Sequence, residues 1–122
     1  MLVEPSPRCG EIYLVKIPNQ PSDRKERPAL VVSMDIRNQL AGDVIAVPLS
    51  THLREAPTHV LLPKGMGGLR QDSMAKCEQI TTLDKSFLLK GPFAGQVPYE
   101  ILQQVHQAIL NALGTRQGMK KT

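Results

Sequence analysis

Only one stretch of this chain repeats its apolar residues with a helical period. Ile101, Leu102, Val105, Ala108, Ile109, Ala112 and Leu113 recur every three or four residues, with Gln103, Gln104, Gln107 and Asn111 between them, which predicts an amphipathic helix. Pro98 suits its first turn, Glu100 complements its positive end and Gly114 suits its stop. The apolar stripe is expected to be core.

Everything before that helix is cut into short apolar runs by proline, glycine and polar clusters. Strands are expected over residues 10–17, 27–34, 43–51, 59–63 and 73–81, with short pieces over 87–90 and 92–96 and a turn or helical turn over 35–42. Pro48 lacks an N–H for the ladder, so it argues for an edge position or a bulge in the third strand. Gly65, Gly67 and Gly68 read as turn chemistry, because a phosphate-cradling loop needs a strand-to-helix context that is missing here. Many short strands and one terminal helix make the fold class mainly β, a small, strongly bent antiparallel barrel closed by the helix. The 122 residues are expected to form one domain, with a core over about 9–114 and a basic tail over 115–122.

Composition narrows the function classes. Cys9 and Cys77 stand far apart without a CxxC pair, and no signal-like stretch opens the chain, so a reduced, cytoplasmic protein is expected. No apolar run is long enough for a membrane helix. His52, His59 and His106 have no ligand-like spacing, so no metal site is expected. Aromatics make up 3% of the chain, which disfavours a single-strand binder built on a row of stacking rings. The net charge is +4, but no acid follows Glu100 while Arg116, Lys120 and Lys121 do, so 4 − 3 leaves about +1 for the body. Any nucleic-acid recognition has to rest on individually placed cations.

Five blocks occur in order: Gly10-Glu11-Ile12-Tyr13, Arg27-Pro28-Ala29-Leu30-Val31-Val32-Ser33, Val47-Pro48-Leu49-Ser50, Pro57-Thr58-His59-Val60, and Asp72-Ser73 through Cys77-Glu78-Gln79-Ile80. Together they resemble the MazF/PemK family over about residues 10–113. The resemblance implies an SH3-like antiparallel barrel, a homodimer, and a type II toxin that cleaves single-stranded RNA without a metal or cofactor. It also implies neutralisation by an acidic, partly disordered antitoxin.

In the implied reaction the RNA 2′-hydroxyl attacks the adjacent phosphorus, leaving a 2′,3′-cyclic phosphate and a 5′-hydroxyl. The protein must then move protons and stabilise phosphoryl charge. Arg27 and Ser50 match the family's catalytic positions. A guanidinium presents a planar fork of donors to two phosphate oxygens but is a poor base. Thr51 is the rival hydroxyl, on the opposite face by alternation. His52 is the candidate base by chemistry, His59 reads as a strand-face residue and His106 as structural.

Gln20, Arg24 and Lys25, in a loop that departs from the family's Gly-rich version, are candidate RNA contacts together with Gln79. Glu78 is expected to brace the site or pair with a cation; Arg70 and Lys76 are lesser candidates. Two other readings remain open: an inactive barrel that only binds a protein partner, and a gyrase poison like the architecturally related CcdB proteins. The second is disfavoured by a C-terminus, Gly118 to Thr122, without an aromatic residue.

Overall fold

The computed structural model describes residues 5–18 and 26–114. Seven strands form one antiparallel sheet: β1 (Ile12–Val15), β2 (Arg27–Val31), β3 (Asp43–Ser50), β4 (His59–Leu62), β5 (Ser73–Lys76), β6 (Thr81–Asp84) and β7 (Leu88–Lys90). A short helix, α1 (Asp35–Leu40), joins β2 to β3, and α2 (Tyr99–Ala112) ends the described chain. The strand order is β4-β5-β3-β2-β1-β7, with β6 paired to β3. Among the described residues β6 and β7 do not pair; the single turn Lys85–Phe87 links them, so the expected barrel is bent but not closed by hydrogen bonds. The short piece expected over 92–96 is irregular and laced to the start of β1 and the residues before it: Phe93 N–H donates to the Ile12 carbonyl and Val97 N–H to that of Gly10, both at 2.9 Å.

Strand alternation sorts the apolar residues into two cores. Val44 and Ala46 join Tyr13, Val15, Ala29, Val31 and Leu83 inside the bend, whereas Val47 and Leu49 face Ile12, Leu30 and Leu62 beneath α2. Leu30, Leu49 and Leu62 are fully buried, and each such side chain is worth roughly 1.5–3 kcal/mol of apolar burial. On α2, Val105 and Ala108 are buried and Ile101, Leu102 and Ile109 half-buried, but Ala112 and Leu113 at the end of the stripe are exposed. A 14-residue helix is about 21 Å long, whereas the four-residue strand β4 beneath it is about 13 Å. The helix outruns its sheet.

Pro48 sits in the central strand, not at an edge. The Ile45 N–H donates to Ser33 Oγ and its carbonyl accepts from Val32 N–H, so Ile45 faces β2 and, by alternation, the Pro48 nitrogen faces the other side. On that side β3 pairs with β6 up to Ala46 and with β5 from Leu49. The missing donor falls in the gap between two partners, where the turn Cys77–Gln79 interrupts the ladder and no bond is lost.

A buried amide ties the strands to α1. Asn38 is fully buried; its Nδ2 donates to the carbonyls of Pro7 and Ser33, both at 3.0 Å, and its Oδ1 accepts from Ser33 Oγ at 2.6 Å. Ser33 Oγ also takes the Ile45 N–H at 2.9 Å.

Cys77 is fully buried under α2, and burial followed by the neighbouring Glu78 charge pushes its thiol up to about 12. The thiolate is the reactive species. At pH 8, Cys77 in the native protein is therefore expected to resist a thiol-exchange reagent that titrates both cysteines after unfolding. Rapid native release of two equivalents would contradict this burial.

Candidate active site

Arg27 opens β2 and pairs with Val15 of β1, whose side chain lies inside the bend, so Arg27 projects from that face. The β2–β3 register is Ala29↔Pro48, Leu30↔Val47, Val31↔Ala46. By strand alternation from Ala29 and Pro48, Arg27 and Ser50 lie on the same face of the sheet, and the register continued two residues would set them opposite one another. Side chains so placed have Cβ atoms about 5 Å apart. Both residues are half-buried at the mouth of the bent sheet.

Ser50 is also oriented. Its Oγ accepts the His52 backbone N–H at 3.0 Å, which leaves the hydroxyl proton available to a phosphoryl oxygen. His52 thus meets Ser50 through its main chain, and the residue itself is exposed. Thr51 faces away from Arg27, into a cleft of about 650 Å³ on the other side of the sheet that it lines with Ser73, Arg70, Gln71, Lys90 and Phe93.

Glu78 and Gln79 lie on the turn Cys77–Gln79, between β5 and β6, and both are exposed. Glu78 accepts a hydrogen bond from Thr58 Oγ1 at 2.8 Å, and its carboxylate lies 3.1 Å from His59 Nε2. Burial pushes the Glu78 carboxyl up, but hydrogen bonds from His59, Thr58 and its own backbone N–H outweigh that and hold it below the usual carboxylate range. Glu78 is a brace in this structure; Gln79 beside it presents an exposed amide. Lys76 is the register partner of His59. His106 is exposed on α2, not packed into the structure. Gln20, Arg24 and Lys25 lie outside the described residues.

Arg27 and Ser50 thus share one face of the sheet, and Thr51 lies on the other. The structure also shows what sequence reasoning did not: His59, read as a strand-face residue, has a side chain only 7% exposed that contacts Glu78, and Lys90 and Phe93 line the cleft with Thr51. Thr58, His59 and Glu78 all fall inside the blocks already singled out, but nothing local pairs residues nineteen and twenty positions apart. Among the described residues, no group of three or more His, Cys, Asp or Glu side chains could hold a metal ion, and no helix is long and apolar enough to cross a membrane.

A bent antiparallel sheet backed by a C-terminal helix, with a guanidinium and an oriented hydroxyl on one face, defines the class of the chain as a small, mainly β domain. Residues 8–113 match the family model described as PemK-like, MazF-like toxin of type II toxin-antitoxin system. The chain is 35% identical over 85 residues to an endoribonuclease MazF of Staphylococcus saprophyticus, an alignment covering 66% of this chain and 71% of that protein. A solved structure of an endoribonuclease in complex with its cognate antitoxin, from a mycobacterial species, matches 90% of this chain and 97% of its own, with 27% identity and a TM-score of 0.75. The fold is shared as well with MazF from Deinococcus radiodurans, at 23% identity, a TM-score of 0.75, and coverage of 90% of this chain and 98% of that one. The chain belongs to the PemK-like, MazF-like family of type II toxins, and its enzyme class is that of the endoribonuclease toxins.

Proposed function

We propose that this chain cuts single-stranded RNA by directing a 2′-hydroxyl onto its neighbouring phosphorus, with Arg27 and Ser50 as the catalytic residues. The observation that supports this reading is that the β2–β3 register and strand alternation put both on one sheet face, with Ser50 Oγ held by the His52 N–H. The Arg27 fork stabilises the charge that grows on the phosphoryl oxygens and stands ready to protonate the leaving 5′-oxygen; Ser50 donates to a phosphoryl oxygen. The RNA supplies the nucleophile, and the products are a 2′,3′-cyclic phosphate and a 5′-hydroxyl. Gln79 is placed to read a base edge through its amide.

The working unit is a homodimer in the cytoplasm. An acidic, partly disordered antitoxin neutralises it, a reading supported by the mycobacterial relative solved with its cognate antitoxin. Cleavage of translated messages would then stop growth.

The test is incubation of a long single-stranded RNA with the protein in EDTA, followed by mapping of the new ends. Discrete cuts with 5′-hydroxyl termini are expected. No cutting of any sequence would leave a protein-binding barrel as the better reading.

The two neighbouring hydroxyls give a second, internal test. Because Ser50 shares the face of Arg27 and Thr51 does not, Ser50→Ala is expected to slow cleavage by about 10- to 100-fold. Thr51→Ala should stay within about threefold of the parent, as expected for a residue whose side chain is not among the transition-state donors. The reverse ranking in single-turnover assays would place the wrong hydroxyl in the site.

A further inference from the structure

We propose that His59 is a positioning residue for RNA cleavage: as an imidazolium it clasps the Glu78 carboxylate and the Arg54 carbonyl, locking the Cys77–Gln79 turn to the 52–58 segment that follows Ser50. The inference rests on the geometry of one nearly buried ring. Nδ1 lies 2.7 Å from the Arg54 carbonyl oxygen and Nε2 lies 3.1 Å from the Glu78 carboxylate. A carbonyl only accepts hydrogen bonds, as does an ionised carboxylate, whereas a neutral imidazole has a single N–H. Both contacts are hydrogen bonds together only when the ring carries both protons. Glu78 is kept ionised by the Thr58 hydroxyl and by the ring itself.

The charges around the ring agree. Glu78 meets it from the turn, and Lys76 is its register partner on β5. Arg54 and Glu55 belong to the segment it grips and are exposed. From α2 comes the neutral Asn111, whose amide donates to the Pro57 carbonyl at 2.9 Å and anchors the same segment from the other side. Cys77 N–H adds a 2.9 Å bond to the Thr58 carbonyl. The segment starts at His52, whose N–H orients Ser50, and the turn ends at Gln79. The clasp therefore sets where the site hydroxyl stands relative to the amide placed to read a base.

Deprotonating His59 removes one of its two bonds and loosens that spacing. Imidazoles lose their proton in the neutral range, and small misplacements of reacting groups cost one to two orders of magnitude in rate. With the ring doubly protonated, the parent enzyme is therefore expected to cleave about tenfold faster than His59→Gln, and in a pH profile of the two this advantage should shrink toward alkaline pH. Glu78→Ala, which keeps the imidazole but removes its carboxylate partner, should reproduce the same closing ratio, so the test survives if His59→Gln fails to fold. A purely structural role would give a ratio that does not change with pH, and that result would overturn the proposal.

The imidazole nitrogen resonances of the ¹⁵N-labelled protein supply the direct measurement. Two protonated nitrogens are expected at His59 while both contacts are made, and a single neutral tautomer across the whole pH series sinks the clasp. The proposal rests on the Arg27–Ser50 reading only for its kinetic readout. The nitrogen spectrum needs no RNA, so failure of the clasp and failure of the catalytic assignment are separable.

Discussion

Replacing Arg27 with alanine is expected to lower single-turnover cleavage of RNA by about 10²- to 10³-fold, the usual loss when one donor to a transition-state oxyanion is removed. In the proposed in-line attack by a 2′-hydroxyl, charge builds on phosphoryl oxygens, and Arg27 is a cation on the same sheet face as Ser50. Arg27→Lys keeps the charge but not the planar fork, so it should recover only part of the rate. The defect should appear in the rate of the chemical step more than in substrate affinity, because the contact strengthens as charge develops. Cleavage by Arg27→Ala at the parent rate, in a variant that melts normally, would remove Arg27 from the mechanism.

The largest effect on stability is expected at Asn38. Its amide serves two buried carbonyls and one buried hydroxyl, and leucine, nearly the same size, serves none of them. Each orphaned buried group costs about 1–3 kcal/mol, so Asn38→Leu is expected to lose about 3 kcal/mol or more and to lower the melting temperature by on the order of 10 °C. Asn38→Asp is a useful companion, since it retains an acceptor for Ser33 Oγ but cannot donate to the Pro7 and Ser33 carbonyls. It should be at least as damaging. Denaturant titration of both variants decides the matter, and a loss under about 1 kcal/mol would mean that water or local shifts replace the amide.

Both predictions turn on features of unequal legibility. Arg27 and Ser50 stand out in the sequence because they sit in recognisable blocks, Arg27-Pro28 before a β-branched strand and Ser50 at the end of another. Asn38 was not, since a lone amide in a polar turn looks like solvent-exposed surface until Pro7 and Ser33 are found around it. The same holds for His59: its strand was legible, its near-burial was not, because the 52–58 segment and the Cys77–Gln79 turn that cover it arrive from elsewhere in the chain. Pro48 was read as an edge signal because sequence carries no information that β3 changes partners at that residue.

What the sequence determined by itself were the local periods and their interruptions: where the strands start and break, where the one long helix runs, and that Ser50 and Thr51 must point to opposite faces. Those properties depend on residues two to four apart, within reach of steric and propensity arguments. Only the tertiary structure decided which of the two faces belongs to Arg27, since that depends on a cross-strand register between residues more than twenty positions apart. It also decided that Pro48 loses no bond and that His59 meets Glu78. These are non-local pairings, settled by how the bent sheet folds its strands together.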